Sequence, residues 1–117
     1  MLVLIYYFFK GKAMEAVIKS DAQGSQNNRY KLEWITVSKS PITTFKVQYK
    51  ANDDFVRKEV EVSATPVESD YWSGSHELTN LRPATVYTVR VASRNTFGYN
   101  DFGEEFQFAT KGAGGYY

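Results

Sequence analysis

The chain has 117 residues, which suits one domain and leaves no room for two of ordinary size. Hydrophobic residues make up 43%, enough for a buried core, and 14 basic against 13 acidic residues give a formal net charge of +1. Nucleic-acid-binding domains usually carry a clustered basic surplus, so this balance argues against a nucleic-acid partner. The absence of cysteine excludes disulfides, thiolate metal sites and cysteine nucleophiles.

The first residues form an apolar run, Met-Leu-Val-Leu-Ile-Tyr-Tyr-Phe-Phe at 1–9. This run is too short to cross a bilayer, which takes about twenty residues as a helix. It also lacks the positive leading region and the cleavage site of a signal peptide. We therefore expect residues 1–15 to be an apolar leader or a disordered segment, with an irregular extra strand as the alternative. We expect no direct membrane insertion by the domain itself.

The next part of the chain alternates between apolar and polar residues, as half-buried strands do. We expect a first strand within 16–20 and a polar turn at 21–28. At 30–34 every second residue is apolar, so this segment is predicted as a strand with Trp34 on its inner face. The other segments predicted as strands from this alternation are 45–50 and 56–62.

The second half of the chain begins with residues 64–75, whose Ser, Gly and Pro content predicts a segment that is mostly loop. Residues 86–91 have the strongest strand pattern. With two Gly and two Asn, residues 94–103 are predicted as a long loop. A last strand is expected at 105–109, and 112–117 is expected to be a flexible linker or tail. Strand patterns recur about every ten residues without helical periodicity, which predicts an all-β antiparallel sandwich.

One block of sequence is specific enough to suggest a family. Residues 81–98 read Leu-Arg-Pro-Ala-Thr-Val-Tyr-Thr-Val-Arg-Val-Ala-Ser-Arg-Asn-Thr-Phe-Gly. This block resembles the fibronectin type III pattern of Leu, Pro, a small turn residue, Thr, Tyr, alternating Val, and then Ala, Asn and Gly. Trp34 is similar to the core tryptophan of that family, and Ser-Pro-Ile-Thr at 40–43 is similar to the approach to its third strand.

The resemblance implies a seven-stranded, immunoglobulin-like β-sandwich with Greek-key connections, which we place at residues 16–111. It also implies a tyrosine corner, in which the Tyr87 ring is buried and its hydroxyl reaches the backbone upstream. The first strand of the family usually opens with prolines, which this chain lacks there. The residues to which the resemblance gives structural roles are Trp34, Leu81, Pro83 and Tyr87.

The residues that could carry chemistry are few. His76 is the single histidine, and a nucleophilic or zinc site needs more partners. Adjacent acids are usually solvated turn residues, so we expect no catalytic pair, no metal site and no cofactor. These acids are Asp53, Asp54, Glu68, Asp70, Glu104 and Glu105. Asp-Phe-Gly at 101–103 matches a kinase metal motif by chance, because no other kinase motif accompanies it.

Two features could instead form a contact surface with a protein partner. Aromatic and Arg side chains cluster in the predicted loop near residue 97, and such side chains on a loop are what a contact surface needs. The alternative is that Phe97 and Phe102 fold back and cap the core. The pair Tyr71-Trp72 could anchor a neighbouring domain, but packing against the sheet is the favoured interpretation. The candidate contact residues are Arg94, Asn95, Phe97, Tyr99, Asn100 and Phe102.

The resemblance implies a non-catalytic protein-binding and spacer module of an extracellular adhesion molecule or receptor at the cell surface. Expected partners are proteins, including homophilic contacts and neighbouring immunoglobulin domains. An intracellular muscle-type scaffold is the alternative, because Ser-Pro-Ile-Thr at 40–43 also resembles the domains of giant muscle proteins. A third possibility is an accessory domain attached to an enzyme, with catalysis outside these residues.

Overall fold

The computed structural model describes residues 16–20 and 26–112, and all regular structure in these residues is β-strand. The predictions for residues 1–15 and 113–117, and for most of the turn at 21–28, lie outside the described residues. The strands are β1 (Val17–Ile18), β2 (Tyr30–Val37), β3 (Thr44–Ala51), β4 (Lys58–Ser63), β5 (Thr65–Pro66), β6 (Tyr71–Leu78), β7 (Val86–Asn95), β8 (Gly98–Tyr99) and β9 (Phe106–Ala109).

The strands form two antiparallel sheets that face each other. One sheet has the order β1-β2-β6-β5, and the other has the order β4-β3-β7, with β8 and β9 both pairing with β7. The all-β antiparallel sandwich predicted from the sequence is confirmed. Among the described residues, β5 and β8 are two-residue additions to a framework of seven strands. No helix in this part of the chain is long and apolar enough to span a bilayer.

The core lies between the two sheets and is built by the alternation of each strand. Trp34 of β2 and Phe45 of β3 are fully buried, and their rings meet edge to face with centroids 5.4 Å apart. Phe108 of β9 stacks on Tyr30 at 3.8 Å and on Tyr87 at 5.5 Å. These aromatic contacts link the two sheets, because Tyr30 belongs to one sheet and Phe108 to the other.

The prediction that residues 64–75 are mostly loop is wrong. β6 begins at Tyr71 and pairs with all eight residues of β2, with Gly74 directly opposite Trp34. Trp34 occupies the space beside Gly74 so closely that a Cβ on Gly74 would lie 2.5 Å from its Cε2 atom. The run Ser-Gly-Ser at 73–75 shows no alternation of apolar and polar residues, so the sequence does not indicate a strand here. The glycine is needed because the Trp34 ring fills the space beside it.

Two other predicted boundaries also differ from the structure. The strand predicted at 56–62 begins at Lys58, and the residues before it belong to the β3–β4 loop. The long loop predicted at 94–103 is wrong in its first part, because β7 continues to Asn95 and a tight turn leads directly into β8; residues 100–103 have no regular structure, as predicted. Gly98 has a φ of 122°, a conformation that permits this turn and that other residues rarely adopt.

The turn before β7 is held by the tyrosine hydroxyl. The Arg82 backbone N–H donates a hydrogen bond to Tyr87 Oη at 2.8 Å, and the Thr110 hydroxyl donates to the Arg82 carbonyl at 2.6 Å. Leu81 and Tyr87 are buried on either side of this turn, and Pro83 is exposed within it. The turn therefore ties β7 to the chain that follows β9.

In the described residues Trp72 packs against the core, and its Nε1–H donates to the Ser38 carbonyl at 3.0 Å. Packing, rather than exposure to a neighbouring domain, is thus the arrangement that the structure shows for this ring. Position 72 is one of the inward-facing positions of β6, since it alternates with buried Gly74 and Leu78.

Candidate protein-contact site

The β7–β8 tip, defined as residues 94–99, presents an aromatic ring on a fixed turn. Asn95 and Gly98 face each other across the turn, and the buried Asn95 side chain accepts a hydrogen bond from the Phe97 N–H at 2.8 Å. The Phe97 side chain projects from this turn and is 88% exposed. Because the backbone is held by both the side chain of Asn95 and the conformation of Gly98, the ring is presented with little backbone freedom.

Tyr99 is the last residue of the tip and is surrounded by charged groups. Its hydroxyl donates a hydrogen bond to Glu61 Oε1 at 2.6 Å. Lys46 Nζ lies 4.0 Å from the ring centroid, and the Arg94 guanidinium lies 5.6 Å from it. The ring is 38% exposed, so cation–π contacts orient it while leaving part of it open to a partner.

The remaining candidate residues hold the segment after the tip against the sheet. The Asn100 side-chain amide donates to the Ser93 hydroxyl at 2.9 Å. The half-buried Phe102 ring lies 4.2 Å from the guanidinium carbon of Arg90, which in turn donates two hydrogen bonds to Gln48. Of the six predicted contact residues, the structure leaves Arg94, Phe97 and Tyr99 exposed, whereas Asn95, Asn100 and Phe102 make internal contacts.

The alternative in which Phe97 and Phe102 cap the core is wrong. Phe97 is directed into solvent. Phe102 lies over Arg90, which alternates with the buried residues Val89 and Val91 and therefore points to the outer face of the sheet. Neither ring closes the interior.

Sequence reasoning missed a second exposed apolar surface at the opposite end of the sandwich. Phe55 and Val56 in the β3–β4 loop are 98% and 69% exposed. The loop lies beside Val86, at the start of β7, because the Asn52 N–H donates to the Val86 carbonyl at 2.9 Å. The sequence does show this apolar pair directly after the turn Asn-Asp-Asp, but the period-two pattern places Val56 in a predicted strand and gives Phe55 no role.

No metal-ligand cluster of three or more His, Asp or Glu side chains occurs in residues 16–20 and 26–112. His76 is half-buried on β6. Among the paired acids, Glu105 forms a salt bridge with Arg57 at 3.1 Å, and Asp53 forms one with Arg82 at 2.5 Å. The Arg82 guanidinium, chiefly through its hydrogen bond, holds the pKa of Asp53 below its usual range. Asp53 and Glu105 thus form ion pairs at the surface, where such pairs contribute little to stability.

The Tyr99–Glu61 hydrogen bond leads to a testable pH dependence. Because the Glu61 carboxylate accepts this hydrogen bond, the pKa of the Tyr99 hydroxyl lies above its ordinary value. Burial of the hydroxyl raises this pKa further. We expect Glu61→Gln to return this pKa toward that of a free tyrosine, because the negative charge near the phenolate is removed. Absorbance titration of tyrosinate, with Tyr99→Phe identifying the signal of this ring, measures the shift.

The sign of the linked stability effect follows from the raised pKa. The folded state favours the protonated phenol, so this contribution to stability is complete below the pKa of an unfolded tyrosine and is lost as pH rises through the folded-state pKa. If Tyr99 titrates identically in the wild type and in Glu61→Gln, the hydrogen bond has no influence in solution.

Comparisons with known proteins agree with this architecture. A family model described as fibronectin type III domain matches residues 19–109. The comparison with curated proteins found no match. The fn3 domain of human contactin 1 is similar at 20% identity and a TM-score of 0.64, over 97% of this chain and 88% of that chain.

Two larger structures contain a similar domain. The chicken CNTN1 FN1-FN3 domains match at 20% identity and a TM-score of 0.63, over 86% of this chain and 33% of that chain. Astrotactin-2, a conserved vertebrate-specific and perforin-like membrane protein involved in neuronal development, matches at 14% identity and a TM-score of 0.66, over 85% of this chain and 22% of that chain. Likeness at such identities shows a shared fold. Together with the match of the family model, the sandwich and its tyrosine-bonded turn show that the chain belongs to the fibronectin type III family.

Proposed function

We propose that this domain is a non-catalytic, protein-binding and spacer module of a cell-surface adhesion molecule or receptor, and that its contact with a partner is centred on Phe97. Fibronectin type III domains are generally non-catalytic modules that mediate protein–protein contacts. The observation that carries the proposal is the 88% exposed Phe97 ring on a turn fixed by Asn95 and Gly98. A ring presented on an ordered turn binds at a small entropic cost, because little backbone freedom remains to be lost.

The residues beside Phe97 suit the edge of such a contact. Tyr and Arg are enriched among the residues that dominate binding energy at interfaces, and the tip begins at Arg94 and ends at Tyr99. Phe97 would fill an apolar pocket of the partner, while Tyr99 and Arg94 would make polar contacts around it. A second copy of the domain and a neighbouring immunoglobulin domain are two proteins that could provide this pocket.

The spacer role is supported by the path of the chain. The described chain enters β1 beside Gly103, near the end of the sandwich that carries the β7–β8 tip. It leaves β9 with Ala109 paired to Val86, at the opposite end. Entry and exit at opposite ends suit a domain placed in series with others, because the long axis of the sandwich then separates its neighbours.

An extracellular position is supported by the similar domains in contactin 1 and in the membrane protein astrotactin-2. We expect an antibody against this domain to stain intact cells that make the protein. Staining that appears only after permeabilisation would contradict the extracellular position and favour the intracellular scaffold instead.

The contact itself is tested by fusing the domain to an antibody Fc region and measuring its binding to intact cultured neurons. We expect the wild type to bind and Phe97→Ala to lose about tenfold or more of this binding, as substitutions at dominant contact residues do. Phe55→Ala is the matched control, since it removes a ring that is also almost fully exposed from the opposite end of the domain. Failure of the wild type to bind, or equal loss in both variants, would overturn the proposed contact.

A further inference from the structure

The longest open strand edge in the described residues belongs to β4. Within residues 16–20 and 26–112, β4 pairs with β3 on one side and with no strand on the other. The edge of the opposite sheet at β5 has only two residues and includes Pro66, which cannot donate a backbone hydrogen bond. The edge strand β9 has four residues and β4 has six, so β4 offers a further strand the longest pairing among the described residues.

The backbone groups that face this edge follow from the hydrogen bonds of β3. The Ala64 N–H donates to the Thr43 carbonyl at 3.1 Å, on the β4 side, and the Asn52 N–H donates to the Val86 carbonyl at 2.9 Å, on the β7 side. Alternate residues of a central strand bond to opposite neighbours, so odd-numbered residues of β3 bond to β4. The β4 residues opposite them are even-numbered. The N–H and C=O groups of Glu59, Glu61 and Ser63 therefore point toward the open edge.

The side chains of β4 differ in character between the two faces of the sheet. Glu59 and Glu61 are exposed on the outer face, where they accept hydrogen bonds from Gln48 at 2.8 Å and from Tyr99 at 2.6 Å. Val60 and Val62 are half-buried on the inner face and pack against the core. An added strand would thus have two carboxylates beside it on one face and two partly open valines beside it on the other.

This arrangement disfavours a second copy of the same strand. In a symmetric antiparallel pair of β4 strands, residues that face each other must lie on the same face of the sheet. In the registers that pair the middle of the two strands, Glu59 of one copy lies opposite Glu61 of the other, or one of these glutamates lies opposite the same residue of the other copy. Like charges directly opposite each other destabilise a strand pair, so the edge is protected against self-association.

We propose that the open edge of β4 receives an extended segment of a partner protein that carries Lys or Arg at alternate positions and apolar residues between them. The segment would add to the sheet as a strand, taking backbone hydrogen bonds from residues Glu59, Glu61 and Ser63. Its basic side chains would lie beside the two glutamates, and its apolar side chains would cover Val60 and Val62. This site touches the tip through the hydrogen bond from Tyr99 to Glu61. Its strand pairing uses the β4 backbone and does not depend on a contact at Phe97.

The test uses the peptide Thr-Lys-Val-Lys-Val-Lys-Thr with blocked ends and nuclear magnetic resonance of the labelled domain. We expect its binding to slow hydrogen exchange at the Glu59, Glu61 and Ser63 amides, which form the new hydrogen bonds, while the Phe97 amide is unaffected. The matched peptide with Glu in place of Lys should bind about tenfold more weakly or worse, because it places like charges together. The double variant Glu59→Lys with Glu61→Lys should reverse this preference.

A third peptide separates strand addition from simple charge attraction. It keeps the three lysines but carries N-methyl groups on its alternate backbone amides, which removes the donors that pair with the edge. We expect it to lose the protection at Glu59 and Glu61. Equal binding by the methylated peptide, or shifts spread over other acidic surfaces, would overturn the proposal.

Discussion

Replacing Gly74 with valine is expected to lower the free energy of unfolding by about 3 kcal/mol, at the upper end of the usual cost of overpacking a filled core site. The new side chain would be forced into the buried Trp34 ring, which already occupies the space where a Cβ would lie. Trp34 cannot retreat, because it packs edge to face against Phe45 in the opposite sheet. Thermal unfolding should show a decrease in melting temperature of roughly 10 to 20 °C.

Two further variants show whether this collision is the cause. Ser75→Val places the same side chain on the exposed face of β6 and should change stability by no more than about 0.5 kcal/mol. Trp34→Phe makes the ring smaller, so the double variant with Gly74→Val should cost less than the sum of the single substitutions. Additive costs would show that Trp34 is not what excludes a side chain at position 74.

Phe108→Ala is the second substitution with a large expected effect, a loss of about 3 to 5 kcal/mol. Phe108 is 1% exposed and stacks between Tyr30 and Tyr87, so alanine would leave a cavity between both tyrosine rings. Tyr87 also accepts the hydrogen bond from the Arg82 N–H, and a displaced ring would weaken the turn before β7. Denaturant unfolding of the variant measures this loss.

The same substitution at Phe97 provides the comparison. We expect Phe97→Ala to change the free energy of unfolding by no more than about 0.5 kcal/mol, because its ring buries little surface in the isolated domain. A cost at Phe97 similar to that at Phe108 would mean that the tip is part of the folding core rather than a surface free to bind.

The fold could be predicted from the sequence because short local patterns mark the residues that are buried. The alternation at 30–34 places Trp34 inside, and the block at 81–98 specifies both the Tyr87 turn and the long strand β7. These patterns depend on a strand period of two and on a turn with a single hydrogen-bonded tyrosine. Each can be read without knowledge of distant contacts.

The parts that could not be predicted depend on contacts between residues far apart in the chain. β6 was hidden because Gly74 is required by a ring forty residues earlier, at Trp34. Sequence alone also could not separate the inward Asn95 from the exposed Phe97, because the difference arises from the geometry of one turn. The exposure of Phe55 could not be predicted either, because it depends on where the β3–β4 loop ends and β4 begins.

Whether a partner binds at the β7–β8 tip is decided by the binding of Fc-fused Phe97→Ala to intact neurons, relative to Phe55→Ala in the same assay. Both variants remove an exposed phenylalanine, and both should keep the melting temperature of the wild type. We expect the Phe97 variant to lose at least about tenfold in binding while the Phe55 variant binds as the wild type does. Full binding by the Phe97 variant would contradict the placement of the contact at the β7–β8 tip.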